Sequence, residues 1–148
     1  MAAANIERFN AVTGAIFASL YESFPVDCDL EAEDFREQLQ EVPGEEYLQR
    51  HEIRFFVSTV LWLAEHGYLS TGSPLSSGTV VRCNLTATTL ELLSALPSSL
   101  NNKGPSLGDQ LVTATKNGVT EKVKDLTSEL LSKAAAFGVR AATDWVNQ

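Results

Sequence analysis

Residues 52–96 have the sequence EIRFFVSTVLWLAEHGYLSTGSPLSSGTVVRCNLTATTLELLSAL. Apolar residues recur at helical spacing at the start of this segment and predict a helix over residues 52–66. Two short runs rich in Val, Tyr, Leu and Thr, residues 68–70 and 79–85, predict two strands, because the segment between them is rich in Ser, Gly and Pro and is typical of a hairpin loop. Thr86 is placed to cap a further helix that carries several leucines. The order is helix, hairpin, helix.

This order of elements, with the tripeptide Asn84-Leu85-Thr86 before a leucine-rich helix, resembles the winged-helix fold over about residues 5–96. In many winged-helix proteins a leucine-threonine pair is followed, after a short spacer, by glycine. Here Thr89 stands at about that place, so the resemblance is to the fold and to no particular family. It implies a mainly α fold with a small β-hairpin.

Two details of the central segment predict its local geometry. Gly67 is placed to end the helix over residues 52–66, because glycine readily adopts the left-handed conformation common after the last helical residue. Alternation along the second strand puts Val81, Cys83 and Leu85 on one side of the hairpin. The helix over residues 52–66 is apolar nearly all round, which is typical of a helix that is covered on two sides.

The residues before this segment predict two more helices. The first begins with Asn5 as its cap and ends near residue 24, because Pro25 disfavours a helical residue before it. The second covers residues 30–41, with Asp29 as its cap and acidic residues in its first turn, where they complement the helix dipole.

The residues after this segment are of a different kind. Residues 97–105, PSSLNNKGP, have the composition of a linker. Residues 106–148 predict one long amphipathic helix that begins with a capping box at Ser106 and is interrupted at Asn117-Gly118. The predicted organisation is therefore a winged-helix-like domain over residues 1–96, a linker, and a C-terminal amphipathic helical segment.

Charge is distributed unevenly along the 148 residues. Up to Gly104 there are 14 acidic and 6 basic residues, a net charge of −8, whereas the remainder has 5 of each. The first two thirds therefore repel a phosphate backbone at long range. No signal peptide and no apolar run of about 20 residues is visible, and two cysteines do not make a secreted disulfide scaffold. These features predict a cytoplasmic protein with two free thiols.

The pattern of reactive residues predicts no catalytic or cofactor site. His51 and His66 lack a second ligand at metal-binding spacing, and Cys28 and Cys83 form no Cys-x-x-Cys motif. The hairpin loop lacks the Gly-Lys-Ser/Thr ending of a phosphate-binding loop. We therefore expect a protein that is not an enzyme and that needs no metal or cofactor.

DNA binding is the use most often made of a winged helix, since the third helix commonly enters the major groove. The basic residues available for this alternative are few, and the hairpin loop contains no Lys or Arg. Six to ten phosphate contacts are typical of such binding and are hard to assemble from this set. The candidates for a DNA contact are Arg36, Arg50, Arg54 and Arg82.

Protein–protein association is the function that the sequence favours, either with a second copy of the chain in a homo-oligomer or with another protein. Phe55 and Trp62, with Arg54 beside them, have the character of an interface centre, because aromatic residues and arginine are enriched there. The alternative is that a helix of the same chain covers the two aromatics. The C-terminal helix is the predicted assembly element, and a membrane-associated tail is a third possibility. The predicted interface residues are Phe55, Trp62, Arg54, Leu126, Leu130, Phe137 and Trp145.

Overall fold

The computed structural model describes the backbone of residues 3–94 and 105–146, and the side chains of residues 3–94 and 105–135. The protein is mainly helical with a small three-stranded antiparallel sheet. Most of the predicted linker, residues 97–104, lies outside the described residues. In chain order the elements are α1 (Ala4–Ser23), β1 (Cys28–Glu31), a 3-10 turn (Ala32–Phe35), α2 (Arg36–Leu39), α3 (Arg50–Glu65), β2 (Leu69–Ser70), β3 (Thr79–Leu85), α4 (Ala87–Ser94), α5 (Leu107–Lys116) and α6 (Thr120–Val146).

Helix α1 runs through the centre of the protein and is the element against which the others pack. It contacts α3, α5, α6 and the strands β1 and β3, and Phe17 and Leu20 on it are fully buried. The predicted end of the helix before Pro25 is confirmed. The predicted start is wrong by two residues, because the cap is Ala3, which has an extended backbone, and Asn5 already lies in the first turn.

The prediction of a second helix over residues 30–41 is wrong in its first half. Residues Cys28–Glu31 form strand β1, which pairs antiparallel with β3, and Leu30 on this strand is buried. Only Arg36–Leu39 are α-helical, after the 3-10 turn. The acidic residues at 31–34 favour a helix start locally, but pairing with a strand about 50 residues further along the chain decides the conformation.

Helix α3 begins two residues earlier than predicted. Gln49 is its cap and forms a capping box with Glu52, in which each side chain binds the backbone N–H of the other residue. At the other end Gly67, at φ +81°, is confirmed as the residue that ends the helix. The N–H of Tyr68 donates to the carbonyl of Leu63 and the N–H of Gly67 to that of Ala64, the pattern of a Schellman motif.

Strand β3 is the central strand of the sheet, in the order β1-β3-β2. Its predicted alternation is broken at Arg82, which has φ +53°, at a bulge where the N–H of Arg82 donates to the carboxylate of Asp29 at 3.0 Å. The extra residue shifts the side chains by one position. Val80 is therefore buried and Val81 only partly so, contrary to the prediction, whereas Cys83 and Leu85 are buried as predicted.

The C-terminal segment forms two helices, α5 and α6, that pack on each other and both on α1. The Ser106 cap is confirmed, since its Oγ accepts from the N–H of Asp109 at 3.1 Å. The interruption at Asn117-Gly118 is confirmed as well, with Gly118 at φ +69°. A single helix over the whole segment is not formed, because the chain turns there and brings the apolar faces of both helices onto α1.

We predict that Glu52 stabilises the start of α3 and does so in a pH-dependent way. Its side chain is 3% exposed, and its carboxylate accepts from the N–H groups of Gln49 and Glu41, both at 2.7 Å. Burial alone raises the pKa of Glu52, but these hydrogen bonds and the positive charges of His51 and Arg8 outweigh it and lower the pKa below its ordinary value. The carboxylate therefore ties the loop before α3 to the helix.

The substitution Glu52→Gln is expected to lower the free energy of unfolding by about 2 kcal/mol at neutral pH. The reason is that the two backbone N–H groups would then face a neutral amide instead of a charged carboxylate. Since the folded-state pKa is lowered, the contribution is present above the unfolded pKa and is lost as the pH falls through the folded pKa. Urea unfolding from neutral to acidic pH checks this, with the exposed Glu65→Gln on the same helix as control. Equal pH profiles for the two variants would contradict it.

Candidate partner-binding groove

An apolar groove lies between the N-terminal half of α1 and the middle of α3. It has a volume of about 330 Å³. Helix α1 contributes Ile6 and Phe9 to its lining, and helix α3 contributes Phe55, Thr59 and Trp62. Residues three, four and seven positions apart share one face of a helix, which is why each helix presents its members together.

Few polar groups enter this groove. The hydroxyl of Thr59 donates to the backbone carbonyl of Phe55 at 2.8 Å, so its hydrogen-bonding capacity is used within α3. Ser58 and Asn5 lie at the margin. The groove is therefore suited to apolar side chains and offers little to a polar or charged small molecule.

Trp62 is held in place by aromatic neighbours. Phe9 meets it edge-on with ring centroids 5.4 Å apart, Tyr68 stacks at 6.0 Å and the ring of His66 lies at 4.1 Å. Nevertheless Trp62 is 42% exposed, and Ile6 across the groove is 47% exposed. Two large apolar side chains therefore face solvent in a fixed arrangement.

Charged residues border one end of the groove. The guanidinium of Arg8 lies 5.4 Å from the ring centroid of Phe55 and forms an ion pair with Glu41 at 3.1 Å. His51 Nε2 lies 3.4 Å from the same carboxylate. Arg54, the residue before Phe55 on α3, is exposed. The cation over Phe55 leaves that ring only partly accessible.

The residues predicted as a partner interface are divided by the structure. Phe55 and Trp62 lie together in the groove, where α1 covers them in part, as the same-chain alternative expected. Leu126 and Leu130, in contrast, are 8% and 0% exposed and belong to the core of this chain. The side chains of Phe137 and Trp145 lie outside the described residues.

The four arginines of the DNA-binding alternative are not joined into one group. Arg36 pairs with Glu33 at 2.6 Å and also donates to the backbone carbonyl of Glu45. Arg50 and Arg54 are exposed one turn apart on α3, and Arg82 is exposed on β3. The four therefore lie on three different elements, α2, α3 and β3.

Sequence analysis missed the contribution of α1 to this site. Ile6 and Phe9 stand at helical spacing in the sequence of the first helix, and nothing there assigns them to a site. Their spacing is that of any amphipathic helix, and only the crossing of α1 over α3 brings them opposite Trp62. Nothing in the sequence indicates that the N-terminal end of α1 stays exposed.

Other candidate chemistry is sparse in the part of the chain that the structure describes. No cluster of three or more His, Cys, Asp or Glu side chains suited to a metal ion occurs there, and none of the helices described is long and apolar enough to cross a membrane. A second groove of about 420 Å³ between α1, α2 and α5 contains the Glu22–Lys116 ion pair, 3.0 Å long.

Comparison of the chain with protein-family models, with curated proteins and with solved structures gives no significant match.

Proposed function

We propose that this protein is a non-catalytic, winged-helix-like module that acts by protein–protein association, with the groove between α1 and α3 as its docking surface. The observation that carries the proposal is Trp62, a large aromatic residue that is 42% exposed yet fixed by three aromatic neighbours. Tryptophan is among the residues enriched at the positions that contribute most of the binding energy of protein interfaces.

The winged-helix part of the proposal is supported by the order of elements. Helix α3 is followed directly by the β2–β3 hairpin and then by α4. The groove lies on a side of α3 that α1 leaves partly open, so a partner can reach it without any change in the core.

The occupant that fits this groove is an amphipathic helix of a partner protein. Phe55 and Trp62 are seven residues apart on α3, which is about 10 Å along the helix axis. Apolar anchors at positions i, i+4 and i+7 of a partner helix cover the same length. The apolar side chains of Ile6, Phe9, Phe55 and Trp62 match such anchors, and the polar residues Asn5 and Ser58 lie at the margin.

The charge of the protein favours basic residues beside those anchors. The net charge is −8, and exposed Glu7 and Glu65 lie close in sequence to Ile6 and Trp62. Two copies of an acidic chain repel each other, whereas a basic partner is attracted and steered. Arg8 and Arg54 border the groove at Phe55 and oppose this attraction locally, so the overall charge of −8 is what favours a partner helix with Lys or Arg flanking its apolar face.

The substitution Trp62→Glu is expected to weaken binding of such a helix at least about 30-fold, because hot-spot aromatics contribute about 2 kcal/mol or more. A library of displayed helical peptides is selected on the full-length protein, and the affinities of the selected peptides are measured by titration. Leu75→Glu is the matched control, since Leu75 is an exposed apolar residue outside the groove.

The outcomes separate the proposal from its competitors. Selected peptides rich in Lys or Arg that bind the wild type and Leu75→Glu equally, and Trp62→Glu weakly, support it. Peptides that bind all three proteins equally, or a selection that yields none, contradict it. Light scattering that finds a wild-type oligomer dissociated by Trp62→Glu would make a second copy of the chain the occupant instead.

DNA binding is the second candidate, favoured by Arg50 and Arg54 one turn apart on exposed positions of α3. Fluorescence anisotropy with duplex DNA at increasing salt tests it, because the logarithm of the binding constant falls linearly with that of the salt concentration. We expect no binding at physiological salt. Binding that is lost with Arg50→Ala and Arg54→Ala together would establish this candidate over the first.

A further inference from the structure

The two cysteines face each other across neighbouring strands. Cys28 on β1 is the direct partner of Cys83 on β3 in the antiparallel register. Residues directly opposite in such a pair lie on the same face, with Cα atoms about 4.5–5.5 Å apart and Cβ atoms about as far. A disulfide needs Cα atoms about 4.4–6.8 Å apart and Cβ atoms about 3.8 Å apart. The register therefore places the two residues opposite each other, at a Cα separation that a disulfide spans.

The two thiols differ in their surroundings. Cys83 is fully buried, and its thiol donates weakly to the backbone carbonyl of Val80 at 3.3 Å. Burial and, to a lesser extent, the nearby Cys28 raise the pKa of Cys83 to about 12. Cys28 is only partly buried, and its Sγ accepts from the hydroxyl of Ser23 at 3.7 Å. Cys28 is therefore the thiol that a reagent in solution reaches.

We propose that Cys28 and Cys83 form a reversible intramolecular disulfide by exchange with a small-molecule disulfide such as oxidised glutathione. This site is independent of the proposed docking function. The groove contains residues from the start of α1, whereas Cys28 follows the end of that helix.

The reaction has two exchange steps. The Cys28 thiol loses its proton and attacks one sulfur of oxidised glutathione, so that a mixed disulfide forms and one glutathione thiolate leaves and is protonated. The Cys83 thiol then loses its proton and attacks the Sγ of Cys28, which releases the second glutathione. The protein loses two electrons and two protons, and the oxidant is reduced to two thiols. Since the second step requires the Cys83 thiolate, its rate increases with pH over the neutral and mildly alkaline range.

The cross-link has a structural consequence. It joins β1 to the central strand β3 and closes a loop of about 55 residues that contains α2, α3 and β2. Closing such a loop restricts the unfolded chain and stabilises the folded state. We expect the oxidised protein to melt about 5–10 °C above the reduced protein.

The test uses the folded full-length protein in mixtures of oxidised and reduced glutathione. Thiols that remain free are alkylated, and the intact mass and the melting temperature are measured. The expected product is a monomer that lacks two hydrogens, carries no alkyl group and melts higher, and that dithiothreitol returns to the starting state. Its rate of formation should rise with pH.

Single-cysteine variants resolve the order of the steps. Cys83→Ala is expected to keep one glutathione on Cys28, because no second thiol displaces it. Cys28→Ser is expected to stay unmodified, because Cys83 is buried. Circular dichroism confirms that each variant is folded. For the wild type, a covalent dimer, two stable glutathione adducts, or a disulfide that forms only in denaturant would each overturn the proposal.

Discussion

A chain that ends at Gly104 is expected not to fold, because it lacks α5 and α6. These helices pack on α1 and contribute six buried apolar side chains to the same core: Leu107, Leu111, Ala114, Val123, Leu126 and Leu130. Burial of each large side chain is worth about 2 kcal/mol, and the total stability of a domain is about 5–15 kcal/mol. The loss therefore equals most or all of the stability. Circular dichroism and light scattering of the truncated chain are expected to find an unfolded or aggregated protein.

A point substitution makes the same test without removing residues. Leu130→Asp in the full-length chain places a charge where the side chain is 0% exposed, and is expected to unfold the protein as well. Ser132→Asp, at an exposed position of the same helix, is the control and should leave the melting temperature unchanged. If the full-length protein is an oligomer and the chain ending at Gly104 is a folded monomer, the C-terminal helices are a separable assembly element, as the sequence predicted, and the core of residues 3–94 is stable without them.

The substitution Gly14→Leu is expected to lower the free energy of unfolding by about 3 kcal/mol or more, because it overfills the contact between α1 and α6. A Cβ atom at Gly14 would meet the side chains of Thr127 and Val123, the latter at 2.5 Å. The hydroxyl of Thr127 already donates to the backbone carbonyl of Val123 at 2.7 Å, so turning it away from Gly14 would break this hydrogen bond. Thermal and urea unfolding measure the effect.

A compensating substitution shows whether the contact with α6 is the cause. Gly14→Ala with Thr127→Ala removes the nearest obstructing atoms and is expected to be more stable than Gly14→Ala alone. The control is Ser58→Leu, which adds a leucine at an exposed position of α3. A glycine such as Gly44 would not serve, because its positive φ would add backbone strain. A neutral effect of Gly14→Leu would mean that α6 does not pack on α1 in solution.

Much of the local structure could be predicted from the sequence because its signals act over a few residues. Pro25 ends α1, Thr86 and Ser106 cap the helices after them, and Gly67 and Gly118 supply left-handed turns. Each of these effects needs only a hydrogen bond to a backbone group three or four residues away, or a φ angle that one residue type adopts. The helix–hairpin–helix order follows from them and from periodicity.

Strand β1 could not be predicted, because its conformation depends on a partner far along the chain. Leu30 and its neighbours carry the acidic flanks of a helix start, and only hydrogen bonds to β3 make them a strand. The bulge at Arg82 has the same origin, since it depends on the carboxylate of Asp29. The periodicity of β3 therefore predicted the wrong side of the sheet for Val81, which lies next to the bulge.

The candidate site was predicted in part. Phe55 and Trp62 share a face of α3 by spacing alone, so their proximity follows from the sequence. Whether a partner binds there stays a prediction. The opposite wall of the groove, Ile6 and Phe9, depends on how α1 crosses α3, and no local pattern encodes a crossing.

The sequence by itself determined where α1 and α3 end, where α4 and α5 begin, that a hairpin follows α3, and that the charge is strongly acidic. The tertiary structure decided that α5 and α6 belong to the core, that Trp62 stays exposed beside Phe9, and that Cys28 faces Cys83. The physical reason is the range of the interactions. Caps and turns are settled by neighbours in the chain, whereas burial and strand register are settled by residues tens of positions away that meet only after folding.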